Sequence, residues 1–155
     1  IAPHDVSQTN IKRIQNAYQH LRPKLFTDSD DFMESRVVIL NTIGHLSSAY
    51  QYATVAIVGG AFGKGLHNVL EAAVHGLPIF TGNNIDKFPE AKTLQKLGVL
   101  HPLDQDPRHF LELIGVYDQQ GTSNKVVEEI LRKWFEEQTG HSEEIARYVC
   151  GLNLN

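Results

Sequence analysis

Three short runs, Val37-Val38-Ile39-Leu40, Val55-Ala56-Ile57-Val58 and Leu77-Pro78-Ile79-Phe80, are apolar without alternation. No other feature narrows the fold as much. A strand with one wet face alternates apolar and polar residues, whereas a strand covered on both faces reads as an uninterrupted apolar run. Segments of helical period separate these runs. Leu66, Val69, Leu70 and Ala73 share one side of a helix expected over 66–75, with Gly76 as its left-handed stop. Pro89 opens another helix that closes at Gly98, and Val99-Leu100 supplies a further short strand. Asp106-Pro107 caps and starts a helix through Ile114. After a break at Gly121–Asn124, the longest helix carries Val126, Val127, Ile130, Leu131, Trp134 and Phe135 as its apolar stripe and stops at Gly140. Ser142 with Glu143 and Glu144 begins a last short helix. Ahead of all this, Ser7 or Asp5 caps a helix whose apolar side is Ile11, Ile14, Tyr18 and Leu21, and Arg22-Pro23 ends it. Lys24–Phe26 is a short strand, Thr27–Ser35 a polar loop and Leu46–Tyr50 a short helix.

Strands of this kind alternating with helices predict an α/β fold, a Rossmann-like parallel sheet with helices on both faces. A chain of 155 residues is the size of one domain and buries about 70% of its unfolded surface. With 14 basic and 18 acidic side chains the net charge is −4, which argues against a nucleic-acid partner. No apolar run reaches the ~20 residues that cross a bilayer, so membrane insertion by this chain is not expected. The lone Cys150 forms no internal disulfide and no Cys-based zinc site. His75, His101, His109 and His141 are scattered, with no i, i+4 pair beside a third ligand, so no metal is expected. Ser47-Ser48 lacks the Gly-x-Ser-x-Gly elbow of a hydrolase. The opening Ile1-Ala2-Pro3-His4 reads as the end of a strand and its exit loop, and the expectation is a segment of a longer protein cut near a domain boundary.

Parallel sheets bind ligands at the carboxyl ends of their strands, here the loops after Ile1, Leu40, Val58 and Phe80. The one after Val58 is the richest: Gly59-Gly60-Ala61-Phe62-Gly63-Lys64-Gly65-Leu66-His67-Asn68-Val69-Leu70-Glu71. Glycines let an incoming group touch the backbone, and amides at the start of a helix suit a phosphate. Lys64 adds a point charge. Neither a Walker loop nor the dinucleotide fingerprint is present. Asn68 and Glu71, three apart, share a helical face, where a carboxylate can accept two ribose hydroxyls. Taken alone, Glu71 also reads as a helix-steadying acid, and His67 as a ligand contact or a loop cap.

Ala2-Pro3-His4, Asn41-Thr42-Ile43-Gly44-His45-Leu46, the Gly59–Glu71 stretch and Gly76-Leu77-Pro78 resemble, in order and spacing, the 3-deoxy-D-manno-octulosonic acid (Kdo) transferases of lipopolysaccharide synthesis. That resemblance implies the C-terminal half of a GT-B glycosyltransferase, with residues 1–155 a single donor-nucleotide-binding domain and the N-terminal acceptor domain absent. It implies a donor substrate, CMP-Kdo, and no cofactor. Pro3 and His4 match the first CMP-contacting loop, with His4 where Arg is usual. Ile43, Gly44 and His45 match a second contact, usually Met-Gly-Glu. Asn68, Val69, Leu70 and Glu71 match the third, with Val69 for a usual Pro, and Asn41 replaces a common Asp.

The resemblance further implies inverting, metal-independent transfer of Kdo to a lipid A precursor at the cytoplasmic face of the bacterial inner membrane. The general base would be a carboxylate of the N-terminal domain, so this chain holds no catalytic residue and is expected to bind CMP without catalysis. Two other readings stay open: the donor domain of another GT-B enzyme using a UDP-sugar, and a non-catalytic nucleotide-binding module.

Overall fold

The computed structural model describes residues 1–28, 35–63, 65–103, 107–119 and 123–138. Lys64, the Asp106 cap, the Gly121 break, the Gly140 stop, His141, the helix expected from Ser142 and Cys150 lie outside the described residues. The same is true of most of the Thr27–Ser35 loop and of the His109 side chain. The chain divides into two compact units, Ile1–Gln51 and Tyr52–Asn155.

In the first unit, helix α1 (Gln8–Ala17) is capped by Ser7, whose hydroxyl accepts from the Asn10 amide at 3.4 Å. Asp5 supports that cap, accepting from the Ser7 amide (2.8 Å) and hydroxyl (2.9 Å). Both residues offered by the sequence thus take part. Of the expected apolar side, Ile11 is buried and Ile14 half-buried, but Tyr18 is exposed. The helix ends before Tyr18 and tightens into a 3₁₀ turn, Gln19–Leu21, which rotates that ring off the stripe. Strands β1 (Lys24–Leu25) and β2 (Val38–Ile39) pair in parallel, with Ile39 fully buried. Leu46–Tyr50 forms the expected short helix, α2.

In the second unit, β3 (Ala56–Ile57), β4 (Ile79–Gly82) and β5 (Leu100–Leu103) form a parallel sheet with β4 central. Helix α3 (Leu70–Ala73) connects β3 to β4, and α4 (Pro89–Lys96) connects β4 to β5. Helices α5 (Pro107–Gln119) and α6 (Ser123–Gln138) follow. The core gathers β4, every residue of which is buried, with Val58, Val69, Ala72, Leu94, Leu100 and Leu131. Phe80 packs edge-on against Phe110 at 5.4 Å between ring centroids. His101 lies beside that pair and is hydrogen-bonded to the Tyr117 hydroxyl at 2.6 Å.

Open parallel sheets alternating with helices are what the unalternated runs implied. Two further expectations of burial fail. Ile57 is 60% exposed while Ala56 and Val58 are buried, so β3 is covered on one face only. Val126 is 64% exposed, because the α6 stripe runs through Val127 and Leu131 and leaves Val126 about 100° off it. No helix among the described residues is long and apolar enough to cross a membrane.

Candidate functional site

The residues singled out in the sequence fall into two groups, one in each unit. In the first unit, Leu40 donates its amide to the Ile1 carbonyl at 2.8 Å, and the Ile1 amine donates to the Val38 carbonyl at 2.6 Å. Ile1 therefore runs parallel to β2. Three parallel segments send Ala2–His4, Thr27 and Asn41–His45 out from the same end. The Asn41 side-chain amide ties two of these exits together by donating to the Thr27 hydroxyl at 2.8 Å. Its Oδ1 is buried with no hydrogen-bond partner among the described residues. Ile43 is 84% exposed and Gly44 has φ +90°, a left-handed turn that carries the chain into α2. The His45 ring is held from two sides, by the Thr42 hydroxyl 2.9 Å from Nδ1 and by the Phe26 ring at 5.0 Å. Neither Thr42 nor Phe26 was singled out in the sequence, because only the fold brings a β1 exit against a residue nineteen positions on.

In the second unit the glycine run leaves the carboxyl end of β3 and closes on itself. Gly60 and Leu66 form an antiparallel bridge, the Ala61 amide donates to the Gly65 carbonyl and the His67 amide to the Gly59 carbonyl at 3.2 Å. Gly63 and Gly65 belong to the tip of this hairpin. The His67 ring lies over Gly59, where a Cβ would come within 3.2 Å of its Cδ2.

This closure corrects the expected helix. The chain remains extended through Asn68, and α3 begins only at Leu70. Asn68 therefore precedes the helix rather than riding on it, and its Oδ1 accepts the Leu70 amide at 3.0 Å. A four-residue helix sums few peptide dipoles, so its N-terminus offers an anion little. Val69 is buried and Leu70 half-buried, while Asn68 and Glu71 are exposed. The Asn68 side-chain amide donates to Glu71 Oε1 at 3.1 Å. The pair is thus brought together at the surface, by a cap instead of by helical periodicity.

The sequence also left unnamed the residues that hold the glycine loop. Gly82, Thr81 and Asn84, at the end of β4, donate hydrogen bonds to Gly60, Ala61 and Gly63 carbonyls. A groove of about 620 Å³ lies elsewhere, between the end of α3 and α6, and none of its lining residues belongs to the loop. Among the described residues no three His, Cys, Asp or Glu side chains gather in a way that would hold a metal ion.

No family model matches the chain. Its fold is that of the C-terminal domain of a GT-B glycosyltransferase: the crystal structure of the C-terminal CMP-Kdo binding domain of WaaA from Acinetobacter baumannii superposes with a TM-score of 0.71, covering 84% of this chain and 69% of that one at 17% identity. In sequence, the chain is 33% identical over 70 residues to a probable mitochondrial 3-deoxy-D-manno-octulosonic acid transferase of Arabidopsis thaliana, a match spanning 43% of this chain and 16% of the relative.

Proposed function

We propose that this chain binds CMP-Kdo and is the donor half of a glycosyltransferase that moves Kdo to a lipid A precursor. The observation that carries the reading is the exposed Asn68–Glu71 pair beside a glycine loop at a strand's carboxyl end, in a chain with the fold of a CMP-Kdo binding domain. The regional likeness to a Kdo transferase supports it from the sequence side.

The chemistry follows from the groups present. Bond breaking between Kdo and CMP leaves an oxocarbenium-like sugar and a phosphate that gains negative charge. Preorganised amides of the Gly59–Gly65 loop stabilise that charge without reorganising, and without a metal. Glu71 accepts the two ribose hydroxyls. With Oε1 already fixed by Asn68, the carboxylate is oriented before the nucleotide arrives, which lowers the entropy lost on binding. In the first unit, taken by itself, the resemblance assigns CMP contacts to Pro3, His4, Ile43, Gly44 and His45. At His4 and His45 an imidazole stands where the Kdo transferases that this chain resembles carry Arg and Glu.

In the parent protein, an N-terminal domain would supply the acceptor site and the carboxylate that deprotonates the attacking hydroxyl. Inversion at the anomeric carbon follows from attack opposite the departing CMP. The parent would work at the cytoplasmic face of the bacterial inner membrane, and this chain by itself would bind nucleotide without turnover.

Isothermal titration of the 155-residue chain with CMP tests the reading. CMP should bind, and Glu71→Ala should weaken it about tenfold, the loss of roughly 1.4 kcal/mol. UMP should bind more weakly than CMP. Equal affinities for CMP and UMP would favour a UDP-sugar donor, and an unchanged affinity in Glu71→Ala would remove the ribose assignment.

A further inference from the structure

The glycine loop does not hold its shape by its own closing bonds alone. Gly60 and Ala61 are both left-handed, with φ +96° and +53°, a backbone that L-residues rarely adopt. Such a backbone persists only where its surroundings impose it.

The surroundings here are the end of β4. The Gly82 amide donates to the Gly60 carbonyl at 3.3 Å, and the Thr81 hydroxyl reaches the same oxygen at 3.5 Å. The Asn84 amide donates to the Ala61 carbonyl at 2.8 Å, and its side-chain amide to the Gly63 carbonyl at 3.4 Å. Gly82 itself lies flat against the Ala61–Phe62 peptide, so that a Cβ built on it would overlap Ala61 C and Phe62 N. The contact is backbone on backbone, and neither side has a flexible atom to withdraw.

These bonds have an electrostatic consequence. The carbonyls of Gly60, Ala61 and Gly63 are taken up by β4 and so are turned away from an incoming anion, which their negative ends would repel. The geometry points to the Thr81–Asn84 segment as the seat that sets the glycine loop for the phosphate of a nucleotide, with Gly82 and Asn84 as positioning residues. For its ligand the inference rests on the donor-binding reading; for its mechanism it rests on the loop alone.

The test uses the 155-residue chain with Gly82→Ala, Asn84→Ala and Asn84→Asp, and Gly115→Ala as a control in α5, where a Cβ meets nothing within 4 Å. Amide NMR spectra of Gly60, Gly63 and Gly65 without ligand report the loop, and titration with CMP reports binding. Gly82→Ala should move all three resonances and lower CMP affinity at least about tenfold, by the steric misfit of a backbone contact. Asn84→Ala should cost about threefold to tenfold, the range of one hydrogen bond. Asn84→Asp, which puts an acceptor against the Gly63 carbonyl, should cost no less. If Gly82→Ala does not fold, the two exposed Asn84 variants decide. Loop resonances and affinity unchanged in the folded variants would overturn the seat. Failure of the unaltered chain to bind CMP would instead overturn the donor reading, and the ligand-free spectra would then decide the seat by themselves.

Discussion

Asn68 spends one side chain on two tasks: its oxygen ends the exposed backbone at Leu70, and its nitrogen steers Glu71. Side chains of this size work through such reciprocal bonds. Asp5 shows the same economy at the start of α1. The amide and hydroxyl of Ser7 hold the Asp5 carboxyl below its ordinary value of 3.8, since hydrogen bonds to a carboxylate favour the charged form. The sign of the linkage follows. A carboxyl depressed in the folded state adds stability above its unfolded value, and that contribution is lost as pH falls through the folded one. Ser7→Ala, which removes the hydroxyl and keeps the amide, should therefore move the Asp5 titration part of the way back toward 3.8, seen by NMR of the carboxyl group, and should cost the helix about 1 kcal/mol as a lost cap. An Asp5 titration that stays where it was would show that the Ser7 hydroxyl does not hold it. Ser7, Asp5, Asn68 and Glu71 were all visible in the sequence, because capping and local pairing act over a few residues. Gly82 and Asn84 were not, because a glycine after an apolar run signals close approach only once its partner is known.

Among elements, α6 gives the sharpest contrast. Leu131 is 1% exposed and Val126 64% exposed, though both lie within one apolar-looking stretch. Leu131→Ala should destabilise the chain by about 2–5 kcal/mol, while Val126→Ala should stay within about 0.5 kcal/mol. Urea unfolding of the two variants checks this, and comparable losses would mean that the helix is seated on another face. Periodicity located this helix but not the one after the glycine loop. Leu66, Val69, Leu70 and Ala73 have helical spacing, yet Leu66 is bridged to Gly60 and the helix begins only at Leu70, whose amide the Asn68 side chain takes up. A backbone pair six residues apart overrode the helical pattern, and at Ile57 an apolar run that suggested cover on both faces belongs to a strand that has it on one. The short strand at Val38–Ile39 was legible because apolar, β-branched runs have few other uses.

For the molecule as a whole, ligand binding and folding are one equilibrium. A nucleotide that binds only the folded chain stabilises it by RT ln(1 + [L]/Kd), about 2.7 kcal/mol at a hundredfold excess over Kd. Thermal melts with CMP should therefore rise with concentration, and the Glu71→Ala chain should need about tenfold more nucleotide for the same shift. A melting point indifferent to CMP would contradict the donor reading from an independent direction. The parallel α/β class was readable at this scale from the strand runs. The share of each unit in the named residues was not, since it depends on packing between segments far apart in the chain.

The loop between β3 and α3 keeps its left-handed backbone because a neighbouring strand stays bare at Gly82. Its form is consequently not written in its own letters alone. Grafted without that strand into a foreign scaffold, the same glycines would relax into an ordinary flexible connector, whereas transplanting both segments together would carry the curvature along.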